Sequence, residues 1–211
     1  SPSAPFIVFE GGDGSGKTSQ IRALESFLTA QGKACLVTRE PGGTELGTLL
    51  RRVLLEASAT TIAPTSELFL YLADRAQHVS EVIRPAIAAG KIVLCDRFTD
   101  STLAYQGYGR GLDLALLRQF NNMADAGVRP DLTLLLDCPV ALGLGRTASR
   151  QAQSPGDAPK EDRFEREQLA FHEKVRLGFL TLARQEPERF RIIDAARPAA
   201  AVSLEICQIV E

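Results

Sequence analysis

Phe6-Ile-Val-Phe-Glu10, followed at once by Gly11-Gly-Asp-Gly-Ser-Gly-Lys17-Thr18, decides the reading of this 211-residue chain. An apolar strand-like run leads into G-x-x-x-x-G-K-[ST], the spacing of a phosphate-binding loop, in the strand-then-helix context that such a match requires. The residue types follow from the chemistry. Glycines let the backbone curl so that successive N–H groups point at phosphate oxygens, and a helix beginning at the lysine adds its positive dipole end. Lys17 would reach the β- and γ-phosphates, and the Thr18 hydroxyl would meet Mg²⁺. The loop residues Gly11, Gly12, Asp13, Gly14, Ser15, Gly16, Lys17, Thr18 and Ser19 are thus expected to hold a nucleoside triphosphate.

Outward from the loop, strand and helix patterns alternate without a break in composition. The first strand is expected over 5–10. A helix over about 17–31 carries Ile21, Leu24 and Leu28 on one face, with Gly32 as its terminator. Ala34-Cys-Leu-Val37 reads as the second strand, and a Pro-Gly-Gly turn at 41–43 leads to a helix over about 44–57. A long helix over 65–89 has Leu68, Leu72, Val79 and Ile83 at helical spacing, capped by Thr65 or Ser66 and ended by Gly90. Lys91-Ile-Val-Leu-Cys-Asp96 is the third strand and Leu132-Thr-Leu-Leu-Leu-Asp137 the fourth. Helices are expected over 114–126, opened by Asp113, and over about 139–149. Residues 151–162 are loop-like, and a helix over 164–185 precedes the last strand, Phe190-Arg-Ile-Ile-Asp194. Pro198 suits the start of a final helix. Continuous apolar strands separated by helices imply one α/β domain over 1–211, with a five-stranded parallel sheet covered on both faces. Ligands then gather at the carboxyl ends of the strands.

Composition narrows the function. The chain is 45% hydrophobic and 24% charged with a net charge of −2, which gives no general attraction to nucleic acid or to an anionic membrane. No apolar run approaches the ~20 residues of a membrane span, and Ser1-Pro-Ser-Ala-Pro5 reads as a flexible lead and not as a signal peptide. Cys35, Cys95, Cys138 and Cys207 lack metal-ligand spacing. The expected compartment is the cytoplasm, without structural zinc or disulfides.

Three stretches together resemble the thymidylate kinase family along essentially the whole chain: Phe9-Glu-Gly-Gly-Asp-Gly-Ser-Gly-Lys-Thr18, Arg39-Glu-Pro-Gly-Gly-Thr44, and Asp96-Arg-Phe-Thr-Asp-Ser-Thr-Leu-Ala-Tyr-Gln-Gly107. The resemblance implies a P-loop kinase fold with a mobile lid, and transfer of the γ-phosphoryl group of ATP to dTMP with Mg²⁺. By the same resemblance Arg97 and Arg51 clamp the acceptor phosphate, Asp96 joins Thr18 at the magnesium, and Asp13 accepts from the 3′-hydroxyl. Glu40 and Pro41 border the acceptor. Tyr71 stacks on thymine, with Phe69 as its competitor, and Arg75 faces a base carbonyl. Thr102 and Gln106 hydrogen-bond the base, while Ser101 and Tyr105 line the opposite helical face with Arg97. Arg197 belongs to the adenine-side loop. Relatives are homodimers, through the helices that bear Leu54, Leu68 and Val79.

Some members of that family carry an arginine just after the loop aspartate, where this chain has Gly14. The missing charge is expected from a lid over about 146–166, which holds Arg146, Arg150, Lys160, Arg163 and Arg166. Arg150 is the first choice for catalysis, Arg146 for the adenine or donor phosphates, and Arg163 for a lid-closing position near the transferring phosphate. Three rivals remain open: another nucleoside or nucleoside monophosphate kinase, a nucleotide switch or assembly ATPase, and a catalytically dead binding module, against which the loop, magnesium ligands and arginines are all present. The chain lacks the G-x-P-G-x-G-K-G-T loop of adenylate kinases and the guanine-reading N-K-x-D.

Overall fold

The computed structural model describes residues 4–56, 61–153, 163–164 and 167–211. Five strands form one parallel sheet in the order β2-β3-β1-β4-β5: β1 (Phe6–Glu10), β2 (Cys35–Arg39), β3 (Ile92–Asp96), β4 (Leu132–Asp137) and β5 (Phe190–Asp194). β1 lies at the centre and is buried along its whole length, which is why it reads as an uninterrupted apolar run. Register aligns the strand ends. Phe9 and Arg39 both sit opposite Asp96, and Glu10 sits opposite Leu135. The phosphate loop therefore leaves the sheet beside Asp96-Arg97.

Helices α1 (Lys17–Ala30) and α9 (Ala199–Val210) cover one face, with Leu24, Leu28, Val202 and Ile206 packed on Ile7, Leu94 and Leu134. On the other face α3 (Pro64–His78) continues through a π turn, Val79–Ile83, into α4 (Arg84–Ala88). There Val79 and Ile83 meet Phe6, Val8 and Phe98. A third cluster joins α8 (Leu169–Gln185) to the short α5 (Thr99–Thr102) and the π segment Leu103–Gly109 that extends it. α2 (Glu45–Leu55), α6 (Leu114–Asp125) and α7 (Val140–Gln153) complete the shell.

Several boundaries differ from those expected, each for a local reason. α3 opens with Pro64 in its first turn and an extended Ala63 before it, so neither Thr65 nor Ser66 caps it. α7 runs on to Gln153, into the stretch expected to be loop. α8 begins only at Leu169, because Gln168 is extended and Phe164 stands in a turn before it. Leu54, Leu68 and Val79 are all buried within the protomer, so they are not an exposed subunit surface. The exposed apolar residues of α2 and α3 are Leu46, Leu49, Val53 and Phe69. All four cysteines are free thiols.

Candidate active site

The loop after β1 closes on itself. Lys17 is buried, and its Nζ donates to the Gly11 and Gly12 carbonyls at 3.2 and 3.4 Å. Burial first, and the nearby Arg97 second, lower the Lys17 ammonium from its ordinary pKa. A cation held under that strain gains from an anion, which is what a polyphosphate supplies. Gly14 has φ +72°, and a Cβ there would stand 1.9 Å from the Gly143 carbonyl oxygen of α7. A side chain of any kind at position 14 is therefore excluded unless α7 moves, so the arginine found there in some family members has no room. Asp13 to Gln20 and α7 form one wall of a cleft of about 930 Å³, within the size range of a ligand site.

Arg97 stands where that cleft turns from the loop toward α3. Its backbone N–H donates to the Phe9 carbonyl at 2.9 Å, and its φ is +70°, in the left-handed region. Such a conformation is unfavourable for a residue with a Cβ and here aims the guanidinium along the strand ends. Nη2 meets Asp13 Oδ1 at 3.3 Å and the Tyr105 hydroxyl at 3.1 Å, while Nη1 donates to Ser101 Oγ at 3.2 Å. Beneath it, fully buried Glu10 accepts from the Phe98 and Ser101 backbone N–H groups and from Ser101 Oγ. Burial, then the Asp100 charge, push the Glu10 carboxyl up to about 7. Asp13 Oδ2, Ser15 Oγ and Asp96 Oδ1 are buried and have no hydrogen-bond partner among the described residues. A buried carboxylate oxygen of this kind calls for a donor or a cation.

The far end of the cleft is built from buried polar side chains. Arg75, 1% exposed, donates through Nε to Glu40 at 2.8 Å, through Nη1 to Thr102 Oγ1 and Asn121 Oδ1, and through Nη2 to the Phe98 carbonyl. Glu40 also meets His78 Nδ1 at 2.9 Å, and the peptide bond from Glu40 to Pro41 is cis. Tyr71 and Phe164 line the cleft, with ring centroids 6.5 Å apart. Phe69 is 52% exposed and sits edge-on to Phe120, away from the cleft, so Tyr71 and not Phe69 presents a ring here. Gln106 lines the cleft and donates through Nε2 to Glu67 Oε1 at 2.9 Å.

Most of the basic residues singled out from the sequence converge. Arg51 donates to the Pro41 carbonyl at 2.9 Å and lines the cleft, whereas Arg52 is exposed. Arg146 bridges the Ala195 carbonyl at 2.9 Å and the Gly14 carbonyl at 3.5 Å, tying α7 to both the loop after β5 and the phosphate loop. Arg150 lines the cleft and reaches Thr147 Oγ1 at 3.4 Å. Arg197 also borders it, donating to the Asp194 carbonyl and pairing with Glu205. Thr18, Ser19 and Pro41 line the same space. Arg163 does not join Arg146 and Arg150 at the cleft. It is held at the far end by the Leu54 carbonyl and by Glu67, because a buried carboxylate there needs cationic partners. Lys160 and Arg166 lie outside the described residues.

Sequence reading missed Glu10, Glu67, Asn121 and Phe164. Glu67 had a legible signal, since Glu67, Tyr71 and Arg75 recur every four residues and so share one face of α3. Glu10 closes a strand beside the loop, the position at which ligands gather. Tertiary packing brings Phe164 to the cleft and Asn121 to Arg75 behind it, which no local spacing encodes.

The family model for thymidylate kinase matches residues 9–206. A thymidylate kinase of Desulfovibrio desulfuricans is 55% identical over 206 residues, covering 98% of this chain and 94% of the relative. One from Solidesulfovibrio magneticus is 54% identical over 205 residues, with 97% and 98% covered. Among solved structures, the crystal structure of thymidylate kinase from Ehrlichia chaffeensis superposes with a TM-score of 0.77 at 34% identity, and each chain is covered in full.

Proposed function

This chain belongs to the thymidylate kinase family, and from that premise we propose how its residues carry out the reaction. It is an ATP-dependent dTMP kinase that passes the γ-phosphoryl group to dTMP, giving dTDP and ADP. The observation that supports the assignment of residues is the approach of Arg97 to Asp13 at 3.3 Å inside one cleft. A donor phosphate in the loop and an acceptor phosphate under Arg97 would be neighbours, and holding them in line is most of what phosphoryl transfer requires.

The loop from Gly11 to Ser19 would hold the triphosphate, with Lys17 on its β- and γ-phosphates and Arg146 and Arg197 beside the adenosine. Arg97 and Arg51 would grip the acceptor phosphate, which is already anionic and needs no general base. Asp13 would accept from the 3′-hydroxyl and Tyr105 would stand against the deoxyribose. Tyr71 and Phe164 would wall the thymine, with Arg75, Thr102 and Gln106 at its polar edge. Arg150 would spread positive charge over the transferring group, and Arg163 would fasten one end of a lid spanning about 146–166 to α3. The metal we assign is Mg²⁺, held by the Thr18 hydroxyl and Asp96 together with the nucleotide's oxygens. The partnerless Asp96 Oδ1 suits a hard cation. Bound there, it would neutralise charge on the β- and γ-phosphates.

We further assign a homodimer, formed through the exposed Leu46, Leu49, Val53 and Phe69 of α2 and α3. The free thiols fit a reducing cytoplasm. No described helix is long and apolar enough to cross a membrane. A coupled ADP-release assay with dTMP, dUMP, dCMP, AMP and no acceptor tests the reading. ADP release should require an acceptor and be fastest with dTMP. Release independent of dTMP would favour an ATPase and overturn it.

A further inference from the structure

Glu67 is fully buried, yet it touches neither the phosphate loop nor Arg97. Oε1 accepts from Gln106 Nε2 at 2.9 Å and from Arg110 Nε at 3.3 Å, and Oε2 accepts from Arg163 Nη2 and, at 3.5 Å, from Arg110 Nη2. Arg110 is in turn fixed by Glu167 at 2.6 Å and lies over the Phe171 ring, 4.5 Å from its centroid. A carboxylate bracketed by two guanidiniums accepts hydrogen bonds and does not donate. Only the amide nitrogen of Gln106 can therefore face it. The free choice of which end of a carboxamide points where, normally open to either answer, is closed by the chemistry of its neighbour.

We propose that Glu67 is a positioning residue for base selection: by holding the Gln106 amide nitrogen, it leaves Oε1 to face the acceptor base as a hydrogen-bond acceptor. The same logic applies at the adjoining side chain. Thr102 Oγ1 accepts from Arg75 Nη1, so its hydroxyl proton is left to donate. Arg75, with its Nε on Glu40, is likewise a donor only. The polar edge of the pocket thus offers one acceptor beside donors. Its complement is an imide, a ring N–H next to a carbonyl, as in thymine and uracil. Cytosine presents the reverse pattern, a ring nitrogen acceptor beside an amino donor, and would set acceptor against acceptor at Gln106. The specificity for an imide base is written in a buried carboxylate that never touches the base.

The inference rests on the acceptor-site reading above, so the experiment separates the two. Steady-state kcat/KM for dTMP and dCMP is measured for wild type, Glu67→Gln, Gln106→Leu and the double variant, with melting temperatures alongside. A glutamine at 67 can offer either end of its amide, so it no longer dictates the orientation of Gln106. The expected result is a fall of roughly tenfold or more in the dTMP-to-dCMP ratio for Glu67→Gln, with no further fall when it is added to Gln106→Leu. A purely structural role would lower both substrates together and leave the ratio unchanged, which overturns the proposal. If Gln106→Leu itself leaves the KM for dTMP unchanged, the acceptor-site reading fails at that residue and this inference falls with it. Should Glu67→Gln fail to fold, the free wild-type enzyme decides. One Gln106 side-chain amide proton should be shifted downfield and protected from exchange before dTMP is added, and an ordinary, freely exchanging amide there would refute the assignment.

Discussion

Arg97 joins an unfavourable backbone to a functional side chain, so two substitutions at one position separate structure from chemistry. Its φ of +70° costs a residue with a Cβ about 1–2 kcal/mol that glycine does not incur. Arg97→Gly and Arg97→Ala both delete the guanidinium and both leave Asp13 and Glu10 without it, so those losses cancel between them. What remains is the backbone term. The glycine variant should be the more stable of the pair by about 1 kcal/mol, which in a chain of this size is a melting-temperature difference of about 2–4 °C. Activity should not follow stability. Two charge-assisted hydrogen bonds to the acceptor phosphate, at roughly 1.5–3 kcal/mol each, would be absent from both variants, so kcat/KM for dTMP should fall by about 10²- to 10⁴-fold in each. Calorimetry and coupled ADP release measure the two effects on the same preparations. An alanine variant as stable as the glycine variant would refute the strain. A glycine variant retaining kcat/KM within tenfold of wild type would refute the acceptor-phosphate role.

Arg150→Ala should lower kcat by roughly 10³-fold while leaving the KM for dTMP nearly unchanged, since that residue meets the cleft from α7 and not from the acceptor side; an unchanged kcat removes it from the mechanism. Glu10, raised to about 7, binds its proton more readily folded than unfolded, so its contribution is complete below the ordinary value of 4.5 and is lost as pH rises through about 7. Urea unfolding across that window should show about 3 kcal/mol of stability lost through this group, and Glu10→Gln, which keeps the acceptor for Phe98 and Ser101, should flatten the loss; an identical slope in the variant would contradict the assignment. Chelation of divalent metal should abolish turnover, with Mg²⁺ restoring it in wild type and far less in Asp96→Asn; full restoration in that variant would place the metal elsewhere.

The sheet was legible because parallel strands covered on both faces are apolar along nearly their whole length, and β1, β3 and β4 are so, Thr133 apart, up to the acidic residue that ends each. The phosphate loop was legible because its chemistry is local, compressed into consecutive residues after one strand. Arg97 and Asp13 follow the ends of neighbouring strands, β3 and β1, and they meet at 3.3 Å. The choice between Tyr71 and Phe69 was not legible, since residues two apart on a helix differ by more than half a turn and only the packing of Phe69 on Phe120 shows which points out. Arg163 was misplaced for a similar reason. Its sequence neighbourhood is that of a basic lid, but its partner Glu67 lies 96 positions away in the chain. Buried carboxylates such as Glu67 and Glu10 write their roles through distant partners, and a single sequence shows only that a charge interrupts an apolar face.

The arrangement of two anions side by side is most directly examined by a crystal structure with dTMP bound. The expected result is the monophosphate seated on the Arg97 and Arg51 guanidiniums, facing the loop from Gly11 to Thr18, with thymine between Tyr71 and Phe164. A dTMP phosphate seated away from Arg97, or turned from the loop, would contradict it.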